Sequence, residues 1–166
     1  MMSSAEKEAV FETLHKQFLP MVRQLCLGYV KGDRQLAEDL VQDVYVNIWN
    51  GLSDFRKQSS YKTWIYRIAV NTCLLHLRDR NPTRPLATLD EIPDGVAGSK
   101  QGGEAGYESL YRVIGGLPHL ERLIMMMILD ELTYEEIGAI TGLSAAHLRV
   151  KIHRIKKKMR QLIKQD

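Results

Sequence analysis

Between residues 81 and 109 the chain carries Pro82, Pro85, Pro93, Gly95, Gly98, Gly102, Gly103 and Gly106, eight breakers of regular structure in 29 residues. A stretch this rich in breakers and this poor in apolar side chains cannot build a core of its own. It is also acidic, with two basic residues (Arg84, Lys100) against five acidic ones (Asp90, Glu91, Asp94, Glu104, Glu108). The chain is thereby divided into residues 1–80 and 110–166. Each piece has room for a small domain only, so two small domains on a flexible acidic tether are expected.

The apolar residues on either side recur with helical spacing, and nothing alternates with period two, so the expected class is all-α. Phe11, Leu14, Phe18, Met21, Val22, Leu25 and Tyr29 line one helix, with Pro20 placed to kink or break it. Gly32-Asp33 ends that segment and offers a cap to the next, whose apolar face is Leu36, Leu40, Val41, Val44, Ile48 and Leu52. After the polar loop SDFRKQSSYK, a third helix from about Thr63 to Arg78 is expected to bury Ile65, Ile68, Ala69, Thr72 and Leu75. In the last part, Leu110, Ile114 and Leu117 mark a short helix, and Leu120, Leu123, Ile124, Met127 and Ile128 mark another.

Thr133-Tyr134-Glu135-Glu136 has the form of a capping box, and Thr141-Gly142 offers a left-handed stop eight residues on. Ser144 then caps a long final helix with Leu148, Ile152, Ile155, Met159 and Leu162 inward. A short capped helix, a glycine turn and a second capped helix make a helix-turn-helix.

The net charge of +3, from 23 Lys+Arg and 20 Asp+Glu, is weak evidence for a nucleic-acid partner until it is read by segment. Residues 1–80 hold 11 basic and 9 acidic side chains, the tether 2 and 5, and residues 110–166 hold 10 and 6. Eight of the last ten basic residues lie between Arg149 and Gln165 with no acidic residue among them. Arg149, Val150, His153, Arg154 and Lys157 share the outward face of that helix. A basic run alone is usually a solvated face. Behind a capped helix-turn-helix it is better read as a helix entering the major groove, base readers toward its N-terminus and lysines on phosphates.

Two other surfaces stand out. Glu38, Asp39, Gln42 and Asp43 form an acidic-polar strip, either an ordinary wet face or a dock for a basic protein surface. Phe55, Arg56, Lys57, Tyr61, Lys62, Trp64, Tyr66 and Arg67 interleave rings with cations, as single-stranded nucleic acid requires. Phe55 and Trp64 are expected to be partly structural. Lys57, Tyr61, Lys62, Arg67 and Asn71 are the contact candidates.

Enzyme signals are poor. The five histidines make no metal-like spacing with Cys26 or Cys73, and no glycine loop has the context of a phosphate site. Cys73 and His76 on one helix read as a core thiol and a surface imidazole rather than a nucleophile and its base. No cofactor and no small-molecule ligand are expected. No apolar run approaches the ~18 residues of a membrane span. The N-terminus has no signal-like apolar core after a basic stretch. A cytoplasmic protein with reduced, buried thiols is expected, with a bridge between Cys26 and Cys73 as the alternative.

The ordered segments AEDLVQDVYVNIW, DFRKQSSYKTWIYRIAVN and LTYEEIGAITGLSAAHLRVKIHRIKKKM together resemble bacterial RNA polymerase sigma factors of the extracytoplasmic-function group. The resemblance implies sigma region 2 over residues 1–80, a linker over 81–109 and sigma region 4 over 110–166. It implies core RNA polymerase as a partner, through the β′ clamp helices and the β flap, with Glu38, Asp39, Gln42 and Asp43 at the clamp. It implies recognition and melting of a −10 promoter element by Phe55, Lys57, Tyr61, Lys62, Arg67 and Asn71, where a flipped base needs a pocket and a stacking surface. It implies reading of a −35 element by Ser144, His147, Arg149, Val150, Lys151, His153, Arg154 and Lys157. An anti-sigma factor is the implied regulator, and no bond chemistry is implied. Where relatives begin this helix with a Val-Gly-Thr-Val-Lys-Ser-Arg type of sequence, this chain has Ala145-Ala146-His147-Leu148-Arg149-Val150-Lys151, so its base-reading set is its own. A stand-alone repressor using only the helix-turn-helix is the alternative; it would have no use for the Asp39/Gln42/Asp43 strip. A purely structural helical adaptor, a weaker third reading, would not account for the basic helix.

Overall fold

The first helix starts where Ser3 and Glu6 cap each other. The Glu6 amide donates to Ser3 Oγ at 3.2 Å, and the Ser3 amide donates to Glu6 Oε2 at 2.8 Å. This capping box stands in the sequence as Ser-Ser-Ala-Glu and is a signal that the apolar periodicity does not carry. In a computed structural model, residues 1–80 and 105–165 are described, with side chains for 1–76 and 109–165. Most of the expected tether therefore lies outside the described residues.

Helix α1 spans Ser4–Tyr29 without interruption, so Pro20 breaks nothing. The proline sits on an exposed face, where the missing amide bond is cheapest. After Lys31 and Gly32, both left-handed, Asp33 accepts from the Leu36 amide at 3.1 Å and starts α2 (Arg34–Gly51). A single 3-10 turn, Leu52–Asp54, leads to the loop before α3 (Tyr61–Arg80). The second half contains α4 (Ala105–Gly115), α5 (His119–Leu129), α6 (Tyr134–Thr141) and α7 (Ala145–Gln165). Helix α4 begins inside the stretch read as tether; its apolar Val113 and Ile114 are buried and fix it to the core. Among the described residues there is no strand, in keeping with the all-α expectation.

In the first half, Leu14, Val22, Leu25 and Tyr29 of α1 meet Leu40, Val44 and Ile48 of α2 and Ile65 and Ala69 of α3. Cys26 and Cys73 are free and buried; a hydrogen bond between them and burial hold the Cys73 thiol well above its usual range. Such thiols are inert core groups. Thr72 is buried as expected because its hydroxyl donates to Ile68 O and accepts from Asn47 Nδ2 at 3.0 Å, tying α3 to α2. Leu75, expected inward, is 44% exposed; the α3 interior is completed by Tyr66, Val70 and Cys73 instead. The reason is that α3 is packed on two sides, and a single apolar stripe describes only one of them.

The second half does not stand apart from the first. Gly28 of α1 lies against Met126 of α5, so close that a Cβ there would come within 2.3 Å of the methionine sulfur. Arg122 of α5 is buried. Its Nε donates to Leu117 O and its Nη1 donates across the interface to Tyr29 O, both at 2.9 Å. Burial lowers its pKa to about 10, and the two carbonyls carry the charge. One apolar cluster runs through both halves.

Candidate nucleic-acid interface

On α2 the residues Glu38, Asp39, Gln42 and Asp43 are all exposed, opposite the buried Ala37, Leu40, Val41 and Val44. They are not equivalent. Arg23 of α1 holds Glu38 with Nε to Oε1 at 2.6 Å, which raises the arginine pKa, whereas Asp39, Gln42 and Asp43 face solvent. One turn beyond, Val46 is 57% exposed and continues the same row. A charge-based search passes over Val46, yet an apolar side chain beside a polar strip is the composition of a protein-binding patch.

The loop and the start of α3 form an aromatic cluster. Phe55 stacks on Tyr61 with centroids 4.5 Å apart and 26° between planes, and Trp64 lies 4.9 Å from Phe55. Trp64 is anchored from below by α2, where a Cβ on Gly51 would sit 3.2 Å from its ring. Phe55 and Trp64 are thus half-buried and mutually supporting, in line with a partly structural role. Lys57 adopts a left-handed φ of 55° at the exposed tip of the loop. Ser60 Oγ accepts from the Thr63 amide at 3.1 Å and sets the helix start, leaving Tyr61 and Lys62 half-exposed on its first turn.

Farther along α3, Arg67 and Asn71 are exposed one turn apart. Arg67 is already engaged: its Nε donates to Ala139 O of α6 at 2.8 Å. Beside it, the Tyr66 hydroxyl donates to Asp130 at the end of α5, and burial followed by that bond raises the phenol pKa strongly. Arg67, predicted to meet the −10 element, therefore touches the helix-turn-helix directly.

That motif is built as its caps require. Thr133 and Glu136 form the reciprocal box at 3.1 and 2.7 Å. Gly142 takes φ 78° and closes α6 by donating to Gly138 O at 2.8 Å. Ser144 Oγ accepts from the His147 amide at 3.2 Å, so its hydroxyl acts as the α7 cap. Leu148, Ile152 and Ile155 are buried beneath it. His147, Arg149, Val150, His153, Arg154 and Lys157 are exposed together, Val150 by 51%, while Lys151 is half-buried. Lys158 turns inward, its Nζ 3.0 and 3.1 Å from the two oxygens of Glu121 on α5. Folding thus separates an outward-facing set from Lys158, which pairs with Glu121.

Among the described residues, no group of three or more His, Cys, Asp or Glu is placed to hold a metal. No helix among them is long and apolar enough to cross a membrane.

Residues 14–83 match the family model for Sigma-70 region 2, and residues 107–159 match that for Sigma-70 region 4. The ECF RNA polymerase sigma-E factor of Escherichia coli K12 is 30% identical over 163 residues, covering 89% of this chain and 83% of that protein. The chain belongs to the ECF sigma factors. The ECF RNA polymerase sigma factor SigE of Mycolicibacterium smegmatis is 26% identical over 141 residues, 81% of this chain and 54% of that protein. Two solved structures share the fold. One is the sigma factor RpoE in complex with the anti-sigma factor NepR from Bartonella quintana, with a TM-score of 0.72, 22% identity and coverage of 94% and 98% of the two chains. The other is CnrH in complex with the cytosolic domain of CnrY, with a TM-score of 0.69, 21% identity and coverage of 96% and 90%. The region 2 match covers the α2 strip and the α3 face, and the region 4 match covers the helix-turn-helix of this ECF sigma factor.

Proposed function

We propose that this sigma factor binds core RNA polymerase, directs it to a two-element promoter and helps open the DNA, acting in the cytoplasm without bond chemistry of its own. The observation that carries the reading is the order of three exposed surfaces on one chain: an acidic strip with Val46, an aromatic and cationic loop with Asn71, and a basic recognition helix. Asp39, Gln42, Asp43 and Val46 suit the β′ clamp helices, and the second half suits the β flap. The Phe55–Tyr61 stack and its lysines suit a displaced base and its phosphates, since rings accept any base while cations follow the backbone. Arg149, Val150, His153 and Arg154 suit base edges in a major groove, with Lys157 on phosphate. The solved complex of RpoE with NepR supports an anti-sigma partner for this chain as well.

Run-off transcription with core enzyme and this protein on fragmented host DNA tests the reading. Discrete transcripts sharing a two-element upstream motif are expected. Transcripts no more abundant than with core enzyme alone would defeat it.

A further inference from the structure

The outward face of α7 holds one apolar side chain that a basic phosphate-binding surface does not explain. Val150 is 51% exposed, although Leu148, Ile152 and Ile155 on the same helix are buried. At about 100° per residue, Val150 lies roughly 200° around the helix from Leu148, at the point farthest from the core. Its neighbours on that face are small or polar: Ala146 one turn before, Arg149 beside it, His153 and Arg154 one turn after, and Lys157 beyond them. A branched valine is a poor helix former and has no polar atom to offer water. Phosphates and hydrogen-bonding base edges gain nothing from it either.

The major groove does offer it one partner. Base edges there present donors and acceptors together with a single apolar group, the C5 methyl of thymine. Arg149 and Arg154 carry the donors that pair with guanine, whereas Val150 has neither donor nor acceptor. Pressed against a polar edge, it would strip that edge of water and give no hydrogen bond in return, which penalises the other bases. The first turn of α7 lets a short side chain reach the groove floor, since Ala145 and Ala146 are exposed and too small to hold the helix away. We propose that Val150 is the thymine-reading residue of this chain, its two methyl groups packed on the C5 methyl of one thymine in the −35 element. The assignment rests on promoter recognition by α7, proposed above, and adds the base that this position selects.

The test uses holoenzyme, made from core enzyme and the full chain, on a promoter recovered by the run-off experiment. Each thymine of the −35 element, on either strand, is replaced singly by deoxyuridine, which removes the methyl and keeps every hydrogen-bonding group. In mobility-shift titrations, wild-type holoenzyme is expected to lose roughly fourfold in affinity at one position, the worth of one buried methyl-sized group. Val150→Ser is expected to bind the thymine and uracil duplexes equally, and Val150→Ile, which keeps the branched methyl groups, to preserve the difference. The assignment is overturned if uracil weakens wild-type binding at no position, if the element holds no thymine, or if Val150→Ser stays as sensitive as wild type. Transcripts from host DNA together with any of those results would leave the sigma reading standing. Absence of transcripts with wild-type protein would defeat that reading, and the assignment with it.

Discussion

Lys157 and Lys158 are adjacent lysines on α7, and the structure assigns them opposite work. Lys157 is exposed on the face that carries Arg149 and Arg154. Lys158 is paired with Glu121, whose side chain is only 6% exposed. If Lys157 neutralises one phosphate, Lys157→Ala lowers the slope of log K against log salt by about 0.9. Between ~50 and ~200 mM salt, a fourfold change, the variant then loses about 3.5-fold less affinity than wild type. Its stability should stay within about 0.5 kcal/mol of wild type, as for an ordinary surface site. Lys158→Ala should do the reverse. It leaves a buried carboxylate without its cation, at a cost of about 1–2 kcal/mol once the 43% exposure of the Lys158 side chain is allowed for. The salt slope should not move. Fluorescence anisotropy with labelled duplex DNA over a salt series gives the slopes, and urea denaturation gives the stabilities. If Lys158→Ala changes the slope as much as Lys157→Ala does, the sorting of the basic run by Glu121 is refuted.

Gly142→Ala should destabilise the chain by about 1 kcal/mol: nothing lies within 4 Å of the added Cβ, so the cost is the left-handed φ alone, and Gly142→Asn should recover part of it in urea midpoints. Asp39→Ala with Gln42→Ala should weaken capture by purified core enzyme at least tenfold with the helical content of the protein unchanged by circular dichroism; Glu38→Ala should do less, since Arg23 already holds that carboxylate. Asn71→Ala should impair promoter opening, read by permanganate reactivity, more than it impairs duplex binding. His119 is buried, and burial followed by the charge of Lys31 lowers its pKa below 6.5. The unfolded chain therefore takes up a proton that the folded chain resists, with Arg122 also nearby. Stability is at its full value above pH 6.5 and falls as the pH drops below it. Urea midpoints at pH 7.5 and 5.5 check this, and His119→Gln should flatten the difference.

Much of the local structure was legible because its causes are local. The Asp33, Thr133 and Ser144 caps and the Gly142 stop each act within four residues, so a reader of the chain meets both partners together. The inward faces of α2 and α7 followed from spacing for the same reason. Leu75 was misplaced because α3 is packed by α1 and α2 on one side and by α5 and α6 on another, which a one-stripe reading cannot represent. Val46 was passed over because an exposed valine carries no charge to single it out. The fate of Lys158 was hidden because its partner Glu121 lies 37 residues away on another helix.

By itself, the sequence determined an all-helical chain, the two units, the helix-turn-helix and the family. Hydrophobic period, caps and ordered motifs are written in neighbouring residues, and they survive whatever the rest of the molecule does. Only the tertiary structure decided that the second unit sits on the α3 face of the first. The bonds that place it there join residues 64, 72 and 93 positions apart, and two of the three end on backbone carbonyls. Every residue has a carbonyl, so no side-chain pattern announces which one an arginine will find.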